Sequence, residues 1–387
     1  MLSKRIQTIS PSATLALNAR AIELKKQGKD ILKFGTGEPD CDTPGNIKDA
    51  AKRALDEGFT KYTAASGIPE LKEAICAKFK RDNGIEYRAE NILVTSGGKQ
   101  ALYNFFMAVL DENDEVIIPS PYWLSYRDMV NVCGGKVVPV DTRPTFKLTA
   151  EMVEKAINPR TKALILNSPS NPTGMVTEEE EIRKIAVLAA RHGFMVVSDE
   201  VYEYFLYDGK KHFSIGSLPE MKEFSVTVNA VSKTYSMTGW RIGYIGGPSE
   251  IIKAMSTLQG HSTSNPCSIA QKAAVEALNG PQDSVSRMAA DFLKRRNYVY
   301  EEMNNIPGFK LMKPEGAFYA FPDVSGAFRG SVNDSFKFSE FLLEEAGIVV
   351  VPGGAFGEEG NDYIRFSYAS GMEDIEEGLR RIRKVLV

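Results

Sequence analysis

The chain is poor in the residues that metal sites and oxidative cross-linking require. It has four cysteines, Cys41, Cys76, Cys133 and Cys267, and none of them forms a CxxC pair. Scattered thiols make no disulfide framework and fit a reducing cytoplasmic compartment. Only three histidines occur, His192, His212 and His261, with no HExxH, so no metal site is expected. No GxSxG elbow is present, which argues against a Ser-His-Asp hydrolase. No apolar run approaches the roughly 18 residues of a membrane-crossing helix, and the first twenty residues lack the continuous apolar segment of a secretory leader. Neither sign of charge dominates: 47 Lys and Arg face 50 Asp and Glu, a net charge of −3. That excludes electrostatic coating of nucleic acid or an anionic membrane. An anion bound here must be held by a few local cations and backbone dipoles.

The 387 residues suit two lobes rather than one core. An amphipathic first helix is expected in "SATLALNARAIELKKQGKD", capped by Ser12 or Thr14, with Leu15, Ala19 and Ile22 at helical spacing and Gly28 at its end. From about residue 91 short apolar runs alternate with helical patterns. "NILVTS", "DEVIIPS", "KVVPV", "TKALILNSP", "FMVVSDE" and "SVTVNAVS" read as strands. "GGKQALYNFFMAVLD" and "TEEEEIRKIAVLAARHG" read as helices between them. Such alternation predicts an α/β fold with a mostly parallel sheet covered on both faces. After about residue 280 a long polar helix precedes a mixture of strands and helices, expected to form a smaller α+β lobe. The predicted division is an N-terminal segment 1–45 joining the small domain, a large domain 46–280 and a small domain 281–387.

In open α/β sheets ligands bind beyond the carboxyl ends of the strands. Asn171 follows one strand, Asp199 and Tyr202 another, Ser232 and Lys233 a third, and Gly97, Gly98 and Lys99 a fourth. Each has an ordinary explanation. "NPTG" is a good turn, Asp199 can cap a helix, and Trp123 and Tyr62 can be core or interface aromatics. A helix opening on two glycines nevertheless offers free N–H groups and a favourable dipole to a phosphate. Lys233 stands among small and apolar residues, with Arg241 eight positions later. Their convergence on one rim points to a site.

Together "SPSNPTG", "SDEVY", "SKTYSMTGWRIGY", "VVVPGGAFG" and "YIRFSYA" resemble the class I/II aminotransferases of pyridoxal-phosphate fold type I, over nearly the whole chain. "KYTAASGIPELKEAI", "GGKQALYNFF" and "PYWLSY" are similar to the bacterial aspartate aminotransferase subgroup. The resemblance implies pyridoxal 5′-phosphate as cofactor, bonded covalently through its aldehyde to Lys233. Burial among apolar neighbours suits a lysine that must lose its charge. It implies that Arg241, Gly98, Lys99 and Ser232 hold the phosphate, and that Asp199 keeps the ring nitrogen protonated. Asn171 and Tyr202 would donate to the ring oxygen, and Trp123 would stack on the ring. Tyr62 would reach the neighbouring subunit's cofactor, which makes a homodimer part of the expectation. Arg365 would clamp the substrate α-carboxylate, assisted by Gly35 and Asn171, and Lys99 would read a distal carboxylate, with Ser12 and Thr14 closing over it.

One departure stands out: Ala230 occupies a position where the family often has a phosphate-binding serine, leaving Ser96 or Ser232 to substitute. Cis peptide bonds are also implied at Ser120–Pro121 and Asn171–Pro172. The expected reaction transfers an amino group from L-aspartate to 2-oxoglutarate. Prephenate, aromatic amino acids and alanine stay open as alternatives, as does a lyase on the same scaffold. A nicotinamide dehydrogenase is disfavoured because "GTGEPD" is not GxGxxG. A regulator built on this domain would need an appended basic helix-turn-helix, for which the residues before the first strand leave no room.

Overall fold

Runs that are apolar on both alternating faces can only be strands buried from both sides, and that is their fate here. The computed structural model describes residues 2–9 and 13–387, with side chains described for 2–9 and from residue 19 onward. A two-residue strand β1 (Leu32–Lys33) comes first. The next seven are β2 (Ile92–Thr95), β3 (Glu115–Ser120), β4 (Lys136–Asp141), β5 (Thr161–Asn167), β6 (Met195–Asp199), β7 (Ser225–Ala230) and β8 (Gly243–Gly246). They form one sheet in the order β2-β8-β7-β6-β5-β3-β4. Only β8 runs antiparallel to its neighbours; every other pairing is parallel.

Alternate residues of each strand feed different cores. Val116, Ile118, Ala163, Ile165 and Val197 pack against Leu102, Phe105 and Met255 from helices Gly98–Val109 and Ser249–Ser262. Ile117, Leu164, Leu166 and Val196 face the other way, onto Ile182, Ile185 and Ala189 of helix Glu179–His192. That helix ends where the sequence puts a glycine: Gly193 takes φ +71° and returns its N–H to Ala189, a left-handed cap that costs glycine little.

The last third builds a separate core. Helix Asp283–Asn304 carries Phe292, Val299 and Met303 onto a three-stranded antiparallel sheet of β9 (Tyr319–Ala320), β11 (Val351–Pro352) and β12 (Ile364–Ser367). Strand β10 (Ile348–Val349) pairs in parallel with β1, so the chain's early segment lies against its late one. Phe34 stacks on Phe366 with ring centroids 4.2 Å apart, fastening the same junction.

The first helix, Ala13–Lys26, exists, but its buried face differs from the expected one. Ala21 and Leu24 are buried with Ile31, Leu343 and Val349, whereas Ala19 is exposed and Ile22 is 50% exposed. Spacing alone could not tell which of two neighbouring stripes meets the lobe. The caps Ser12 and Thr14, and Leu15, lie outside the residues or side chains described. Among the described residues four cis peptide bonds occur, at Ser120–Pro121 and Asn171–Pro172 as expected, and also at Arg143–Pro144 and Ser168–Pro169. Among the described residues no helix is long and apolar enough to cross a membrane.

Candidate active site

The register of the parallel strands aligns their carboxyl ends. Asn167 on β5 lies opposite Asp199 on β6, and Asp199 opposite Val228 on β7. Above that rim is a cavity of ≈ 390 Å³, lined by Asn171, Asp199, Tyr202, Lys233, Arg241 and Arg365. The volume lies in the range of small-molecule sites. Gly35, Gly98, Lys99, Trp123 and Ser232 also line it. Tyr62, predicted to reach a cofactor, does not; it is 91% exposed on the surface.

Lys233 sits on the short helix Val231–Thr234 that β7 runs into. Its Nζ donates to the carbonyl of Gly37. Burial, then the guanidinium of Arg365, pushes its pKa down to about 8 against the weaker pull of Glu38. An amine that is neutral in part near physiological pH can act as a nucleophile and a base.

Asp199 is buried at the cavity wall, and burial pushes its carboxyl up to about 6. The hydroxyl of Tyr126 donates to Asp199 Oδ2 at 2.6 Å and opposes that rise. The amide N–H of Val201 reaches Oδ1 at 3.4 Å, but the residues after it form turns and not a helix, so capping is not this aspartate's role. Lys233 pulls the other way only weakly, so this buried carboxylate lacks a cation in direct contact. The side chain of Asn167 bridges its surroundings: Nδ2 donates to Asp199 O at 3.0 Å, and Oδ1 accepts from Asn171 N at 2.9 Å.

Arg365 is not a solvated strand arginine. It is 6% exposed, donating to Asn171 Oδ1 at 2.9 Å and Gly35 O at 2.7 Å, while its Nε is buried without a partner. Its guanidinium lies over the rings of Tyr319 at 4.6 Å and Phe356 at 5.1 Å. The bond from Arg365 occupies the oxygen of Asn171, and its Nδ2 has no partner among the described residues.

At the other end of the cavity, helix Gly98–Val109 begins with no side-chain cap, and Gly97 before it has φ +90°. Among the described residues the N–H groups of Gly98 and Lys99 have no acceptor, which leaves the positive end of the helix dipole facing the cavity. Arg241 closes this end. It is held in the left-handed region at φ +57° and donates to Thr238 O at 2.7 Å and Ser96 O at 3.3 Å. A Cβ on Gly97 would stand 2.3 Å from Arg241 Nη2, so the guanidinium needs glycine there. Of the two serines considered in place of the serine absent at Ala230, Ser232 lines the cavity; Ser96 lines a neighbouring cleft instead. Lys99 lies with its Nζ 4.9 Å from the centroid of the Trp123 ring, and burial together with Arg241 lowers its pKa.

The donor set therefore fits pyridoxal phosphate. Two free amides, the Ser232 hydroxyl and Arg241 suit a phosphate, a raised buried carboxylate suits a ring N–H, and an activated lysine suits an aldehyde. Sequence reading missed Tyr126, Asn167, Tyr319 and Thr238, all of which line the same cavity. "PYWLSY" contains Tyr126, but nothing in its spacing marks a tyrosine that points at Asp199.

Just beneath the rim the sequence reading also missed a buried polar cluster of Glu200, Glu203 and His212, whose ligand-type atoms lie within 4.8 Å of one another. The ammonium of Lys78 and the side-chain amides of Asn83 and Asn229 already occupy these carboxylates, so the cluster is a satisfied network.

Comparison with known proteins agrees with this geometry. Residues 29–382 match the family described as aminotransferase class I and II. The aspartate aminotransferase of Bacillus sp. strain YM-2 is 49% identical, over 99% of this chain and 98% of that protein. The probable aspartate/prephenate aminotransferase of Rickettsia bellii is 50% identical, over 99% and 98%. The structure of Thermus thermophilus aspartate aminotransferase with maleate superposes with a TM-score of 0.94 at 46% identity, covering 100% of this chain and 99% of that one. With lysine, aspartate and arginine on one strand-end rim and this similarity along its length, the chain belongs to the class I and II aminotransferases, enzymes that use pyridoxal phosphate.

Proposed function

We propose that the protein transfers the amino group of L-aspartate to 2-oxoglutarate, giving oxaloacetate and L-glutamate. The observation that carries this reading is that two cationic side chains, Lys99 and Arg365, line one cavity with Lys233. Both substrates carry two carboxylates. Arg365 takes the α-carboxylate with its fork and unpaired Nε, a geometry that a guanidinium offers and an ammonium does not. Lys99 takes the distal one. The maleate in the Thermus structure is itself a dicarboxylate.

When bound, pyridoxal phosphate supplies an aldehyde carbon and a ring that accepts electrons. The protein's own groups do the rest. Gly98 N, Lys99 N, Ser232 and Arg241 would hold the phosphate, and Trp123 would pack against the ring. Asp199 would keep a proton on the ring nitrogen, an ion pair that would offset the cost of its burial. Asn171 Nδ2 and the Tyr202 hydroxyl would donate to the ring oxygen. Lys233 Nζ would serve as the base that takes the proton from the substrate Cα and as the acid that gives it back. Ping-pong kinetics follow.

A homodimer extends the reading: Tyr62, exposed on one chain, would complete the partner's phosphate site. The domain division at 1–45, 46–280 and 281–387 and a cytoplasmic location belong to the same proposal. The pairing of β1 with β10 and the reduced-thiol composition support them. A second reading, transamination of prephenate, is favoured by the name of the Rickettsia relative and by the flexible stem of Lys99.

Absorption spectroscopy tests the assignment. The purified protein should show a visible cofactor band that bleaches with aspartate and returns with 2-oxoglutarate. Lys99→Ala should raise KM for aspartate about ten-fold or more, the loss of one charge-assisted contact, while KM for alanine barely moves. Equal losses for both donors would assign Lys99 to the cofactor instead.

A further inference from the structure

Tyr319 lines the cavity, yet neither motif nor spacing marks it. It opens β9, paired with Ser367 of β12, and so belongs to the C-terminal lobe, whereas Tyr202 belongs to the turn after β6. Both side chains are buried, at 1% and 3% exposure, and their hydroxyl oxygens lie 2.8 Å apart. Each hydroxyl carries a single hydrogen, so one must donate and the other accept.

The surroundings choose the direction. Among the described residues Tyr319 Oη has no hydrogen-bond partner except Tyr202. Tyr202 Oη likewise has no other partner, but Tyr319 Oη is packed against Gly37, so with Tyr202 as donor the hydrogen of Tyr319 would face that contact without an acceptor, a costly arrangement. The low-cost arrangement is Tyr319 donating to Tyr202, whose own hydrogen then points into the cavity. The ring of Tyr319 is held by Arg365 on its face, and its hydroxyl is packed so closely on Gly37 that a Cβ there would stand 2.3 Å from it.

We infer that Tyr319 is a positioning residue: its hydroxyl orients and strengthens the Tyr202 hydroxyl as a donor to the cofactor's ring oxygen. The inference rests on the proposed role of Tyr202. Chained hydrogen bonds polarise one another, so loss of the first donor weakens the second. A weaker donor leaves the ring oxygen more basic, and the bound cofactor gives up its proton at higher pH.

The test is a pH titration of the visible absorbance of reconstituted wild type, Tyr319→Phe, Tyr202→Phe and the double variant. Tyr319→Phe should raise the apparent pKa by about half a unit. Tyr202→Phe should raise it further, and Tyr319→Phe should add nothing in the Tyr202→Phe background. Placing 3-fluorotyrosine at 319, a more acidic donor, should lower the apparent pKa below wild type. Because the phenylalanine keeps its ring under Arg365, KM for aspartate should stay within about two-fold. A Tyr319→Phe protein titrating like wild type while Tyr202→Phe is shifted would overturn the inference and leave the site reading intact. An equal shift in both backgrounds would also overturn it, since Tyr319 would then act by another route. No shift in Tyr202→Phe would remove the site reading, and this inference with it.

Discussion

Asp199 and Lys233 illustrate how burial prepares single side chains for work. The folded carboxyl of Asp199 has its pKa raised from 3.8 to about 6. A raised acid binds its proton more tightly in the folded state, so its contribution is lost as pH rises from about 4 to about 6 and stays lost above. Asp199→Asn should therefore make the apoprotein more stable at pH 7, by up to about 3 kcal/mol at 1.36 kcal/mol per unit, and leave it unchanged near pH 3. Denaturant titration of the apoprotein at the two pH values checks this; the same variant should lose nearly all activity. Tyr126→Phe should push Asp199 higher still and weaken cofactor binding about ten-fold, the worth of one hydrogen bond to a charged group. A spectrophotometric Kd measures it. For Lys233, amine labelling of the apoprotein followed by peptide mapping should give a midpoint near pH 8 rather than 10.5. A midpoint near the ordinary value would remove the argument that burial activates this lysine.

Elements meet at the cavity end proposed to take the phosphate with no room to spare. Strand β8 passes the start of helix Gly98–Val109 so closely that a Cβ on Gly243 would lie 2.3 Å from Gly98 N and 2.4 Å from Gly97 C. Gly243→Ala should shift the helix start off its position, weaken phosphate binding and cost about 2 kcal/mol or more in stability, as overpacking does. Gly239→Ala, where nothing lies within 4 Å, should leave stability nearly unchanged. Thermal unfolding with and without inorganic phosphate separates the two. The strands and helices here were legible because apolar periodicity and terminal glycines agree, as at Gly193. The buried face of Ala13–Lys26 was not, since a short helix rich in small residues carries more than one plausible stripe.

Across the whole molecule, residues 35–43 act as a strap between the two cores. Gly35 O accepts from Arg365, Gly37 O from Lys233, and Glu38 from Thr238. Arg295 forks onto Asp40 at 2.8 and 2.9 Å, and Thr43 donates to Ser236 O at 2.6 Å. Arg365 and Lys233 are thus tied to one loop, which explains how an arginine on β12 comes to share a cavity with a lysine after β7. The proposed homodimer belongs to this scale. Sedimentation should give twice the chain mass, and Tyr62→Phe should weaken cofactor binding several-fold without moving thermal stability of the apoprotein. A monomer with full activity would refute it.

Local order was written into the chain. Alternating apolar runs dictate strands covered on both faces, glycines dictate where helices end, and the residue types at the strand ends announce an amine, an acid and an arginine. Such features depend on neighbours within a few positions, where sequence pattern and backbone geometry are one problem. Folding settled the rest: which stripe of the first helix is buried, that Ser232 rather than Ser96 faces the cavity, and that Tyr126 and Tyr319 stand behind Asp199 and Tyr202. These pairings join residues 73 and 117 positions apart. Contacts at that range are set by how distant elements pack within a lobe, as for Tyr126, or how two lobes meet, as for Tyr319, and no local spacing encodes that.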